Sequence, residues 1–130
     1  MLKGFLKEEI SSVKLNAREI SEKIDFKKMA ESLKQIIKQK SPYEADFDSE
    51  KLKKVISGEV SHSDFEDATG KIISIWLIET SFKPLQWPIR RKYNGKDYDL
   101  GTIFPTEDSL VFSTPNSSNK IEIIKLNNIS

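Results

Sequence analysis

A chain of 130 residues, 37% hydrophobic and 32% charged, is long enough for one hydrophobic core and too short for two robust ones. Its formal net charge of +1 supplies no global field to draw in nucleic acid or an anionic membrane. It contains no cysteine, which excludes disulfides, thiolate catalysis and cysteine-rich zinc sites. No apolar run reaches the roughly 18 residues of a membrane span. The stretch 1–9 turns charged too soon for a secretory signal, so the expected location is cytoplasmic. The abundance of Lys, Ile, Asn and Ser suggests an AT-rich genome, with a bacterial or phage source expected.

Residues 2–24 read as an amphipathic helix, with Leu6, Ile10, Val13, Ala17, Ile20 and Ile24 on one stripe. The stripe then changes phase: Phe26, Met29, Leu33, Ile36 and Ile37 define a second helix, running to about Gln39 and ended by Ser41-Pro42. Asp25 is suited to cap it. A short third helix over 48–57 carries Asp48 as its cap, Phe47 as a staple onto Leu52, and Gly58 for the left-handed position past its end. Ser63-Asp64-Phe65-Glu66 has the capping-box pattern of a fourth, very short helix closed by Gly70.

The character then changes. Residues 71–80 are β-branched or apolar at nearly every position, which predicts a strand covered on both faces and places Trp76 in the core. Residues 82–88 read as a loop, with Pro84 and Pro88 opposing regular pairing. Asn94-Gly95 between two β-prone runs is the strongest short-range signal for a hairpin, because both central residues of a type I′ turn need positive φ. Counting outward opposes Tyr93 to Lys96, Lys92 to Asp97, Arg91 to Tyr98, Arg90 to Asp99 and Ile89 to Leu100. The charged pairs then share a wet face, and the tyrosines and Ile89 a packed one. Strands over 110–114 and 120–126, joined by a Pro-Asn-Ser turn, complete the chain. The fold class expected is α+β in a single domain. About four helices, two long and two short, fill 1–70; an antiparallel sheet of about five strands containing the Asn-Gly β-hairpin fills 71–130.

Several residues could carry chemistry. His62 is the one histidine. It can act as a general acid or base at neutral pH, or be a surface residue beside a helix cap. With Lys71, Arg90 and Arg91 as cations for a phosphorane, it would suit a small metal-independent ribonuclease-type toxin. The helices-then-sheet layout supports that only by analogy of fold. Arg90 and Lys92 have acidic cross-strand neighbours; Arg91 lies on the other face, either stacked on tyrosine or aimed into a pocket. The acidic clusters Asp46/Asp48/Glu50 and Asp64/Glu66/Asp67 lack the spacing of a calcium loop, and no nucleotide-binding or hydrolase motif is present, so no metal and no cofactor are expected.

The remaining signal is aromatic. Trp87 in a proline-bounded loop, with Phe82 and Leu85 beside it and Arg91 nearby, is either a partner anchor or a lid on the core. The leading expectation is a small non-catalytic binding protein: a regulator, inhibitor or immunity-type partner of another macromolecule, most of all another protein. An RNA- or DNA-binding module using residues 83–98 is a further alternative, weakened by Asp97 and Asp99. The 6–24 stripe offers a route to self-association if it is not buried.

Overall fold

A computed structural model describes residues 16–40, 45–66, 72–79 and 84–127. Among the described residues, three helices precede a six-stranded sheet: α1 (Ala17–Ser21), α2 (Phe26–Lys40), α3 (Ser49–Ser57), β1 (His62–Glu66), β2 (Ile72–Trp76), β3 (Trp87–Tyr93), β4 (Lys96–Pro105), β5 (Ser109–Ser113) and β6 (Lys120–Lys125). The fold is α+β. The strands lie side by side in chain order, every neighbouring pair antiparallel.

Local chemistry accounts for the helices. Asn16 has extended backbone and accepts the Glu19 N–H at 2.8 Å, so α1 starts there and no single helix runs through 2–24. Leu6, Ile10 and Val13 of the expected stripe lie outside the described residues. Asp25 accepts the N–H groups of Lys27 and Lys28 at the start of α2. Met29, Leu33, Ile36 and Ile37 of α2 are buried, and Phe26 packs at the margin of the core. Asp48 caps α3 through the Glu50 and Lys51 N–H groups, and Gly58 ends it at φ 84°. The Ser41-Pro42 stop lies outside the described residues.

The sheet begins earlier than the composition shift suggests. Residues 62–66 form β1, not a capped helix: Ser63 and Phe65 are buried while His62, Asp64 and Glu66 are exposed, the period-two pattern of a strand covered on one face. Pairing with β2, His62 opposite Trp76 and Phe65 opposite Ile73, overrides the local capping tendency. β2 is likewise covered on one face only. Ile73 and Ile75 are fully buried, whereas Trp76 is 39% exposed, so the expected placement of Trp76 in the core is corrected.

β3 also differs from expectation. Trp87 and Pro88 belong to the strand, opposite Ile103 and Thr102 of β4. Proline is accommodated because the ladder to β2 is interrupted there: it runs to Ile75 opposite Ile89 and resumes only as an isolated bridge between Ile78 and Gln86. β3 pairs with β4 with Tyr93 opposite Lys96, Lys92 opposite Asp97, Arg91 opposite Tyr98 and Arg90 opposite Asp99. Asn94 and Gly95 between them have φ of 52° and 75°. Beyond Arg90 a bulge intervenes, and Ile89 faces Gly101 instead of Leu100. Tyr98 is 48% exposed although it shares a face with buried Arg91, because residues 96–99 at the hairpin end are all exposed.

All three helices contribute to one core on one face of the sheet. α3 packs against α1, α2 and β1, and α2 reaches β6. Ile20, Met29, Leu33, Leu52, Val55 and Ile56 from the helices meet Phe65, Ile73, Ile75, Trp87, Ile89, Ile103 and Phe112 from the strands. Two links close the periphery: Glu79 Oε2 accepts the Ala17 N–H at 3.1 Å, and the Asn127 N–H donates to Lys23 O at 2.8 Å.

Two glycines separate backbone strain from packing. A Cβ on Gly95 would meet nothing within 4 Å, whereas one on Gly101, at φ 149°, would lie 2.3 Å from the Phe112 ring and 2.6 Å from Ser113 O. Gly95→Ala is expected to cost about 1 kcal/mol from positive φ alone. Gly101→Ala adds overpacking and should cost about 3 kcal/mol. Urea denaturation of both variants checks the order; equal losses would contradict the packing of Phe112 on Gly101.

Candidate functional site

The helices cover one face of the sheet; the other face of β1 to β4 carries exposed His62, Asp64, Glu66, Trp76, Arg90, Lys92, Asp97 and Asp99. Strand alternation puts these side chains there, as each is separated along its strand by a residue turned toward the helices. The register sets Asp64 beside Ser74, Ser74 beside Arg90, and Arg90 beside Asp99, a polar row across four strands. One step along, His62 opposes Trp76, and their rings stack with centroids 4.4 Å apart and planes 18° from parallel.

This corner is tied together by polar contacts. Ser74 Oγ donates to Asp64 Oδ1 at 2.7 Å, and the same oxygen lies 4.0 Å from His62 Nε2. From the helix side, Lys51 Nζ donates to the Asp64 carbonyl oxygen and stands 5.4 Å from the centre of the Phe65 ring. Ser63 Oγ donates to Lys51 O at 3.0 Å, and the Phe47 and Phe65 rings meet at 5.0 Å. β1 is thereby clamped to α3. Toward β5 and β6 the same outer face is more closed: Pro88 and Val111 are buried, and Lys120 Nζ stands 5.9 Å from the Phe104 ring centre.

The ribonuclease grouping comes together only in part. His62 and Arg90 share the open face. Arg91 is 4% exposed and lies on the helix-covered face, in register with Ile73. The thickness of the sheet therefore separates Arg91 from His62. Lys71 lies outside the described residues. His62 stands on an open surface; a cleft of about 300 Å³ is lined instead by Lys27, Ala30, Glu31, Lys34, Asp46, Phe47 and Asp48, where Lys34 and Asp46 pair at 3.1 Å. Among the described residues, no group of three His, Asp or Glu side chains is placed to hold a metal ion, and no helix is long and apolar enough to cross a membrane.

The expected loop anchor is corrected. Trp87 is fully buried, and its Nε1 donates to Val55 O at 3.1 Å. The indole bridges β3 to the last turn of α3 and cannot meet a partner in this state. Leu85 packs partly buried against the core, and Phe82 lies outside the described residues. Arg91 is likewise withdrawn from any outer binding surface. The exposed tryptophan is Trp76, which its apolar sequence neighbours disguise. The alternation of Ser63 and Phe65 with His62, Asp64 and Glu66 is the signal in the sequence that marks this face.

No protein-family model, curated protein or solved structure matches this chain.

The two tryptophans should respond oppositely to truncation. Trp87→Ala removes a buried side chain and is expected to cost on the order of 3–5 kcal/mol. Trp76→Ala on the open face should cost less than about 1 kcal/mol. Thermal melts of the two variants distinguish the placements; a severe loss from Trp76→Ala would mean that its face is covered.

Proposed function

We propose that the chain is a small non-catalytic binding protein, a regulator, inhibitor or immunity-type partner, that docks onto another protein through the uncovered face of β1 to β4. The observation that carries this reading is the exposed Trp76 braced by His62. Tryptophan is the residue most often found among binding hot spots, and a ring held by a stacked neighbour on a paired strand loses little freedom when it binds. The polar row Asp64–Ser74–Arg90–Asp99 supplies hydrogen-bonding groups around it.

A protein fits this face better than nucleic acid. Arg90 is flanked in register by Asp99, and Lys92 by Asp97, so both bases on the outer face of β3 have an acid beside them. Phosphate backbones select surfaces where cations accumulate without acids between them. Self-association through the 6–24 stripe draws less support, since Ala17 and Ile20 are spent inside the core.

The test compares the immobilised wild-type chain with Trp76→Ala and Arg90→Glu in lysate of the source organism. A protein retained by the wild type should be held at least about 30-fold less tightly by Trp76→Ala, the equivalent of a hot-spot loss of about 2 kcal/mol. Circular dichroism should show both variants folded. Equal retention by all three chains would overturn the docking face. Cleavage of total RNA by the pure protein, lost in His62→Ala, would replace this reading with the nuclease.

A further inference from the structure

We infer that the turn between β3 and β4 is a site of spontaneous covalent modification: the Asn94 side-chain amide closes on the Gly95 backbone nitrogen, and the isoaspartate that results breaks the register of the two strands. The inference rests on this turn and not on the docking reading above. Of the asparagines at 16, 94, 116, 119, 127 and 128, only Asn94 is followed by glycine. That neighbour matters because the attacking nitrogen must swing toward the side chain, and a residue without Cβ does so with the least hindrance. The surroundings are open. Residues 94–99 are all exposed, and a Cβ built on Gly95 would meet nothing within 4 Å. In a two-residue turn the ladder ends at the flanking pair, here Tyr93 and Lys96, so the Gly95 N–H lies outside it.

The Gly95 nitrogen bonds to Asn94 Cγ and gives up its proton, the side-chain nitrogen leaves as ammonia, and a cyclic imide remains. Water then opens the imide. Attack at Cγ leaves aspartate; attack at the former main-chain carbonyl leaves the chain running through Cβ and Cγ, as isoaspartate. Water is the only co-reactant. Asn94 and Gly95 hold φ of 52° and 75°, and ring closure requires the Asn94 carbonyl to rotate away from this turn geometry. The turn must therefore open first, and an exposed end of a ladder is where strands part most readily. Once isoaspartate has formed, the main chain carries an extra methylene between β3 and β4. A two-residue turn fixes register through its own length, so the opposition of Tyr93 to Lys96 and of Lys92 to Asp97 is lost. A carboxylate also replaces the neutral amide.

The test ages the full chain in mildly alkaline buffer and digests it with trypsin, beside an unaged sample. Mass spectrometry should show the Asn94 amide lost well before those of Asn16, Asn116, Asn119, Asn127 and Asn128, with isoaspartate exceeding aspartate at that position. The aged fraction, separated by its extra negative charge, should melt below the fresh chain. Asn94→Asp, which adds the same charge without the methylene, should melt close to the fresh chain. Conversion of Asn94 no faster than that of the other asparagines, or to aspartate alone, would overturn the site. An aged fraction melting no lower than Asn94→Asp would overturn the effect on register. Neither readout involves a partner, so failure here is separate from loss of capture in the docking experiment.

Discussion

A single buried hydrogen bond, from Trp87 Nε1 to the carbonyl of Val55, sets the relation between the helices and the sheet. An indole N–H in an apolar core is costly if left unsatisfied, by roughly 1–3 kcal/mol, and the free carbonyls in the last turn of a helix are natural acceptors. Val55 O also receives the Gly58 N–H, so helix termination and strand attachment meet at one atom. Gly58 makes the junction possible. Its positive φ ends α3, and a Cβ there would lie 3.4 Å from Leu77 and 3.6 Å from Ala17, which shows how closely α1 and the residue following β2 approach the same point.

From that junction the one-sidedness of the described residues follows. With α3 fixed over β3 and clamped to β1 through Lys51 and Ser63, the helices gather on a single face. The alternation of β1 and β2 then has a definite outcome: Phe65, Ile73 and Ile75 go in, and His62, Asp64, Ser74 and Trp76 go out. The outer side chains stand on paired strands backed by a packed core, so their relative positions are held by the fold. The proposed docking depends on this rigidity, because a preordered aromatic and polar surface loses less entropy on association than a loop of the same composition.

What the amino-acid sequence made legible was local. Asp48 and Gly58 bracket α3 through contacts a few residues away, and a capping residue or a left-handed glycine acts without help from the rest of the chain. The α2 stripe is legible for the same reason. Residues 63–66 misled because a capping box and a strand share the same letters there, and the deciding contacts come from residues 72–76 and from Lys51. The two tryptophans exchanged roles on similar grounds. Trp76 sits in an apolar run and Trp87 between prolines, so near neighbours suggest the reverse of the actual burial. What settles them is the gap in the β2–β3 ladder that admits Pro88, and the carbonyl of Val55 that receives Trp87. Of the candidate site, His62 and Arg90 were recognisable as chemically capable; their meeting with Asp64, Ser74 and Trp76 on one face depends on pairings that no local pattern announces.

The most direct test of the central claim, that the face opposite the helices is where a partner sits, is hydroxyl-radical footprinting of the chain alone and in complex with a protein it captures. In the free chain Trp76 should be labelled and Trp87 should not, in keeping with 39% and 0% exposure. In the complex, labelling of Trp76 and His62 should fall sharply while exposed side chains on α2 keep theirs. Undiminished labelling of Trp76, with protection appearing on α2 instead, would contradict the account.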